Sequence, residues 1–248
     1  MGRLAVVTFN LGGPDSPMAV QPFLFNLFHD PAIIGLPQPF RWLLAGLISR
    51  RRAPIAREIY AHLGGKSPLL ELTQAQADAL GLELSRGDDI VEVFVCMRYW
   101  HPMSDSVAAA VKAFEPDEVV LLPLYPQFST TTVGSSLTDW RRAAAKIGLS
   151  APTRAICCYP TGKGWISAQA DLVGQAVADS PDQTRILFSA HGLPCKVVDG
   201  GDPYQWQVEQ TAAAVVSAMG GHDDWAVCYQ SRVGPLEWIG PSTEDELA

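Results

Sequence analysis

Six short apolar runs punctuate the chain: Leu4–Phe9, Ile90–Cys96, Val119–Leu124, Thr153–Tyr159, Arg185–Ala190 and Trp225–Tyr229. Each is of strand length and bounded by polar or turn-forming residues, the pattern of a buried strand. Between them the period changes. Ser104–Phe114 places Val107, Ala108, Val111 and Phe114 on one helical face, and Ser135–Ile147 and Trp165–Val177 behave the same way. Two further helices open on one start signal, a capping side chain followed by proline: Ser67-Pro68 before Leu69–Leu84, and Asp202-Pro203 before Tyr204–Met219. Strands alternating with helices predict an α/β fold with parallel sheets flanked by helices. The repeated start signal hints at two related halves, with a boundary expected near Glu115-Pro116-Asp117: residues 1–116 and 117–248.

Residues 17–57 break this rhythm. Phe23, Leu24, Phe25, Leu27, Phe28, Ile33, Ile34, Leu36, Phe40, Trp42, Leu43, Leu44, Leu47 and Ile48 crowd together, and Arg50-Arg51-Arg52 closes the stretch. Pro31, Pro37 and Pro39 prevent one continuous helix. Two readings stand: ordinary core, or an exposed apolar lip that admits a flat greasy ligand or touches a bilayer, with arginines at its polar edge.

Composition narrows the class. In 248 residues, 48% hydrophobic and 18% charged, there is enough apolar material for a sizeable core. A net charge of −8 with no basic face argues against a nucleic-acid partner. The N-terminus runs straight into a strand pattern with no secretory n- and h-regions, and no apolar run is long enough to span a bilayer, so a cytoplasmic protein is expected. Cys96, Cys157, Cys158, Cys195 and Cys228 include no Cys-x-x-Cys pair, so they read as small hydrophobes in a reducing compartment, and Cys157 and Cys158 fall on opposite faces of the expected fourth strand.

Chemistry gathers where strands become loops. The first strand ends in Asn10-Leu11-Gly12-Gly13-Pro14, which lacks both nucleotide-binding fingerprints. The second ends in Arg98-Tyr99-Trp100-His101-Pro102, a guanidinium beside aromatic rings, suited to carboxylates and flat π-systems. The third leads to Tyr125-Pro126-Gln127, and the sixth to Gln230-Ser231-Arg232-Val233-Gly234-Pro235 and then Trp238. The fifth delivers Ser189-Ala190-His191-Gly192-Leu193-Pro194. His191 is either a turn cap or a reactive group. No Gly-x-Ser-x-Gly elbow and no His-x-x-x-His pair occurs, which disfavours a serine hydrolase or zinc peptidase.

Taken in order, these segments, together with Arg51-Arg52-Ala53-Pro54, Tyr60, Gly64-Gly65-Lys66-Ser67-Pro68, Gly201-Asp202-Pro203-Tyr204 and Trp238-Ile239-Gly240-Pro241, resemble the ferrochelatase family almost from end to end. The resemblance implies two Rossmann-like, chelatase-type halves, each a parallel sheet flanked by helices, with a porphyrin held between them. It implies a lyase of haem biosynthesis that inserts Fe2+ into protoporphyrin IX. It makes His191 the catalytic residue and metal contact near the macrocycle centre. Arg52 and Ser67 would approach the propionates; Ile34 would pack over the macrocycle; Tyr60, Arg98, Tyr99, Tyr125 and Trp238 would line the pocket; the stretch around 17–57 would be the porphyrin-admitting lip, able to touch the inner membrane peripherally. Fe2+ enters as substrate. No prosthetic group is implied, and no iron–sulfur cluster, because the terminal cysteine cluster of some members is absent.

A neutral imidazole, with a reference pKa of about 6.5, can accept a pyrrole proton or ligate a metal. The family pattern continues past Ala248 with a strand, a glutamate-bearing segment and a closing helix, so the second half is expected to be incomplete; Glu244 and Glu246 do not stand in that glutamate motif. The alternatives are a catalytically impaired porphyrin-binding homologue and a chelatase for another tetrapyrrole. The greasy lip favours protoporphyrin over more carboxylated rings.

Overall fold

A computed structural model describes residues 2–180, 184–232 and 236–248. Part of the expected Gln230–Pro235 motif, Val233-Gly234-Pro235, lies outside them. The longest buried run explains the first sheet. Ala5, Val6, Val7, Thr8 and Phe9 are all inaccessible to solvent, so β1 (Arg3–Asn10) has to be covered on both faces and paired on both edges. It pairs in parallel with β2 (Ile90–Met97) and β3 (Glu118–Pro123), and β4 (Thr153–Ala155) adds to β3, giving the order β2-β1-β3-β4. Its helices are α1 (Val20–His29), α2 (Phe40–Ala61), α3 (Leu69–Leu84), α4 (Ser104–Ala113) and α5 (Ser135–Ile147), the last preceded by a π-type turn at Thr130–Gly134. Trp140 of α5 packs edge-on against Phe9 of β1, ring centres 5.8 Å apart.

The chain divides into two compact units. The first is Met1–Tyr125 with Thr130–Cys157; the second is Pro126–Ser129 with Cys158–Ala248. This departs from the boundary expected near Glu115-Pro116-Asp117. That segment is no linker: the Asp117 carboxylate accepts the Arg3 backbone N–H at 2.7 Å, and the Arg3 guanidinium donates to the Phe114 carbonyl at 2.8 Å. The turn is clamped to β1 and feeds β3 into the same sheet. The fourth strand also ends sooner than its apolar run, at Ala155, so Cys157 and Cys158 lie beyond it, at the passage from one unit to the other.

In the second unit β5 (Ile186–His191) pairs in parallel with β6 (Trp225–Gln230), accompanied by α6 (Lys163–Ala178), α7 (Cys195–Asp199), α8 (Tyr204–Ala218) and α9 (Thr243–Leu247). Both predicted helix starts recur with the proline one residue before the helix: Leu69 N–H donates to Ser67 Oγ at 3.2 Å and Tyr204 N–H to Asp202 Oδ1 at 3.0 Å.

The crowded stretch 17–57 is core on one side and exposed on the other. The small residues Ala45, Ser49 and Ala53, each one turn from the next, are buried and let α2 lie close on α1, where Ala53 joins the cluster of Val20, Phe23 and Leu24. The opposite face of α2 leaves Phe40, Leu43 and Leu47 at 63%, 58% and 51% exposure, followed by exposed Arg50, Arg51 and Arg52. No helix among the described residues is long and apolar enough to cross a membrane.

Candidate active site

In the second unit, β5 ends on His191, whose side chain is exposed. Its Nδ1 lies 2.8 Å from the Gly192 carbonyl oxygen. A carbonyl can only accept, so Nδ1 carries the hydrogen and the Nε2 lone pair is left free. Gly192 is held in turn: its N–H donates to the Gln230 carbonyl at 2.7 Å, and a Cβ there would stand 3.0 Å from that oxygen and 3.3 Å from Trp238 Cε3. Glycine is required by close approach, and half-buried Trp238 packs against the turn that carries the imidazole. Pro194 bridges Trp238, and Ile239 N–H donates to the Leu193 carbonyl at 3.0 Å. Tyr204 supports the strand end from α8. Burial pushes its phenol up to about 12, against a lowering hydrogen bond from the His191 backbone. It therefore stays protonated at neutral pH.

The first unit holds the other expected residues. Arg98 and Tyr99 leave β2 with their backbone N–H groups donating to the Asn10 and Leu11 carbonyls at 2.9 Å. Neither side chain is loose. Arg98 Nη2 donates to Asp30 Oδ2 at 2.7 Å, Arg98 Nε to Ser135 Oγ at 2.6 Å, and Tyr99 Oη to Asp30 Oδ2 at 2.8 Å. The Arg98 guanidinium also sits over the Tyr99 ring, 4.9 Å from its centre. Tyr99 is 1% exposed, and burial raises its phenol pKa further than the neighbouring Asp30 charge does. Arg98 and Tyr99 thus build a wall rather than reach out from it. Tyr125, at the end of β3, has a buried hydroxyl whose pKa is likewise raised by burial.

Ser67 lies two residues before α3, against the glycine loop that follows β1. Its N–H donates to the Pro14 carbonyl at 2.8 Å, and a Cβ on Gly13 would fall 2.4 Å from Ser67 Oγ. Within the Asn10–Pro14 loop Gly13 makes room for Ser67, and Gly12 for the backbone of Trp100. With Oγ accepting from Leu69, the hydroxyl hydrogen of Ser67 remains available to donate. Arg52 is exposed on α2, its guanidinium 5.9 Å from the centre of the Phe28 ring. Tyr60, half-buried, packs on the α1–α2 cluster that also contains Tyr99. Ile34 is half-buried in the turn after α1, its N–H donating to the Asp30 carbonyl at 2.9 Å. Ile34, Arg52, Tyr60, Ser67, Arg98, Tyr99 and Tyr125 therefore belong to one unit, and His191 and Trp238 to the other. Among the described residues no three His, Cys, Asp or Glu side chains converge as a metal site.

The chain matches the ferrochelatase family profile over residues 3–248. It belongs to the ferrochelatase family. The ferrochelatase of Phenylobacterium zucineum is 57% identical over 249 residues, covering 99% of this chain and 72% of that protein. That of Hyphomonas neptunium is 53% identical over 253 residues, covering 99% and 69%. That of Wolbachia pipientis wMel is 50% identical over 249 residues, covering 99% and 79%. The chain thus spans roughly 70 to 80% of the length of these relatives. Three residues of this ferrochelatase-family chain escaped the sequence reading: Asp30, Ser135 and Tyr204. Pro31 stood out only as a break in the 17–57 stretch, and nothing in one sequence pairs residue 30 with residues 98 and 135.

Proposed function

We propose that this chain is a ferrochelatase that inserts Fe2+ into protoporphyrin IX, with His191 taking up pyrrole protons. Family membership across residues 3–248 carries the reaction, and the geometry of His191 supports the residue assignment. Insertion replaces two pyrrole N–H protons by one Fe2+, so a base has to face the ring nitrogens. The Nδ1–H bond to the Gly192 carbonyl fixes one tautomer and turns the Nε2 lone pair outward. After accepting a proton the imidazolium keeps that same bond, so protonation needs no rotation of the ring. Because the side chain is exposed, the proton can then pass to water. The same lone pair can meet the incoming Fe2+ before the proton arrives.

Arg52 and the free hydroxyl hydrogen of Ser67 are suited to propionates, and Ile34, Tyr60, Tyr125 and Trp238 offer apolar or aromatic surface to the macrocycle. Arg98 and Tyr99 contribute the rigid backing of that surface. Rigid walls that hold a non-planar ring would favour the metallation transition state over the planar substrate. The exposed Phe40, Leu43 and Leu47, bordered by Arg50, Arg51 and Arg52, support peripheral contact with an anionic membrane surface from the cytoplasmic side. They also favour a greasy porphyrin over a more carboxylated one. The test is anaerobic mixing of the chain with protoporphyrin IX and Fe2+ or Zn2+, followed in the visible spectrum. Metalloporphyrin bands are expected with the native chain and not with His191→Ala. A native chain that leaves the free-base spectrum unchanged would overturn the reading.

A further inference from the structure

We propose that Asp30 is a positioning residue for the porphyrin: through one carboxylate it fixes the turn bearing Ile34 to Arg98, Tyr99 and Ser135, and thereby sets porphyrin affinity without touching the reacting atoms. The inference rests on the reading above that this unit binds the macrocycle. Asp30 caps the C-terminus of α1 and is 4% exposed. Its Oδ2 accepts from Arg98 Nη2, Tyr99 Oη and Ser135 Oγ; its Oδ1 accepts the Ala32 N–H at 2.8 Å; its carbonyl accepts the Ile33 and Ile34 N–H groups at 3.0 and 2.9 Å. One residue thus joins the end of α1, the Ile34 turn, the end of β2 and the start of α5.

Capping a helix does not require this. Gly or Asn ends a helix without burying a charge, and an isolated carboxylate out of water is costly. The charge is matched to Arg98, whose Nη1 also lies 3.9 Å from the Asp139 carboxylate. With carboxylates on two sides and its Nε spent on Ser135, Arg98 has little left for a substrate propionate. It serves as a strut. The place of Ile34 then depends on whether Asp30 is held, since two consecutive N–H groups of the turn hang on the Asp30 carbonyl while the side chain is anchored on three other residues.

Steady-state metallation by the native chain, Asp30→Asn, Ser135→Ala, Ile34→Ala and the double variant Asp30→Asn/Ile34→Ala tests this. Asp30→Asn is expected to raise KM for protoporphyrin about tenfold, a size ordinary for coupled contact residues, with KM for the metal unchanged. Ser135→Ala, which keeps the ion pair, is expected to act in the same direction more weakly. In the double variant the two effects are expected not to add, because Asp30 acts through Ile34; a residue that only stabilises the fold would give additive effects. Additivity, or an unchanged porphyrin KM in a cooperatively folded Asp30→Asn, overturns the proposal. Should Asp30→Asn fail to melt cooperatively, the cycle of Ser135→Ala with Ile34→Ala is read instead. A native chain that binds porphyrin without metallating it sinks the enzymatic reading alone, and the same cycle is then read on the porphyrin Kd from the Soret shift. A native chain that binds no porphyrin sinks both.

Discussion

The strand ends of β2 and β5, to which the proposed function assigns the binding wall and the base, are built in opposite ways. At the end of β2, Arg98 and Tyr99 are locked into a buried knot around Asp30, with side-chain exposures of 16% for Arg98 and 2% for Asp30. At the end of β5, His191 is exposed and its ring hydrogen-bonds to the carbonyl of the next residue. The first arrangement satisfies nearly every donor within the protein and leaves little to offer a reacting atom. The second leaves one nitrogen lone pair outward. A group that exchanges protons benefits from contact with water, whereas a surface that has to hold a ring in shape benefits from having no freedom. The hydrogen bonds within each unit separately thus agree with the proposed division between a rigid wall and a reactive tip.

The strongest test of that division removes the tip. His191→Ala is expected to lower the metal-insertion rate by at least about 10²-fold, roughly 2.7 kcal/mol on the barrier, while porphyrin affinity changes little. Stopped-flow spectra separate the two steps. A variant that turns over normally would return His191 to the role of a turn cap, and a loss of porphyrin affinity equal to the loss of rate would make it part of the wall.

A paired glycine experiment comes next. Gly13→Ala puts a methyl group 2.4 Å from Ser67 Oγ, and Gly192→Ala puts one 3.0 Å from the Gln230 carbonyl and 3.3 Å from Trp238. Overpacking of this kind costs about 1–3 kcal/mol, so both variants should melt lower. Their functions should part. Displacing Ser67 should weaken porphyrin binding, whereas shifting the His191–Gly192 turn should lower kcat. If both variants lose only affinity, the tip and the wall are not distinct.

How much of this was legible beforehand follows from the range of the interactions involved. The strands and long helices rest on local periodicity, and Ser135–Ile147 and Leu69–Leu84 fall where the apolar spacing places them. The boundary expected near Glu115-Pro116-Asp117, which would divide the chain into halves of similar size, falls on a turn whose contacts reach back to Arg3 and keep it within the first unit. The apolar stretch 17–57 is buried along Ala45, Ser49 and Ala53 of α2 and exposed along Phe40, Leu43 and Leu47 of the same helix, a division that packing assigns and hydropathy does not. Arg98 was visible as a cation at a strand end. That its charge is already matched depends on Asp30, 68 residues earlier, and one sequence carries no trace of that pairing.

Arg52 offers a smaller effect on the wall side. It is exposed, its guanidinium 5.9 Å from the centre of the Phe28 ring, so Arg52→Leu should leave the melting temperature nearly unchanged, as surface replacements do within about 0.5 kcal/mol. Its expected consequence is a severalfold weaker affinity for protoporphyrin, an effect that shrinks as salt is added because exposed charges are screened. An unchanged affinity at low salt would remove Arg52 from the propionate contacts while leaving Ser67 in place.

The mildest contrast lies at the acid limb of stability. Hydrogen bonds from Arg142 and Lys146 hold the Asp105 carboxyl down at about 2. In the unfolded chain an aspartate titrates near about 3.9. The pair therefore supports the folded state above about pH 4, and that support fades as the pH falls through about 2. In the other unit Asp245 is lowered as well, chiefly by its hydrogen bonds with Ser242 in the capping box of α9. Both groups are exposed, so both effects are small. Asp105→Asn should flatten the fall of Tm between about pH 4 and about 2, and Asp245→Asn should flatten it below about pH 4. Salt separates them, since the Asp105 contribution comes from charged partners and is screened, while the Ser242 bonds are local and dipolar. Equal salt sensitivity in the two variants would show that charge networks are no more characteristic of the first unit than of the second.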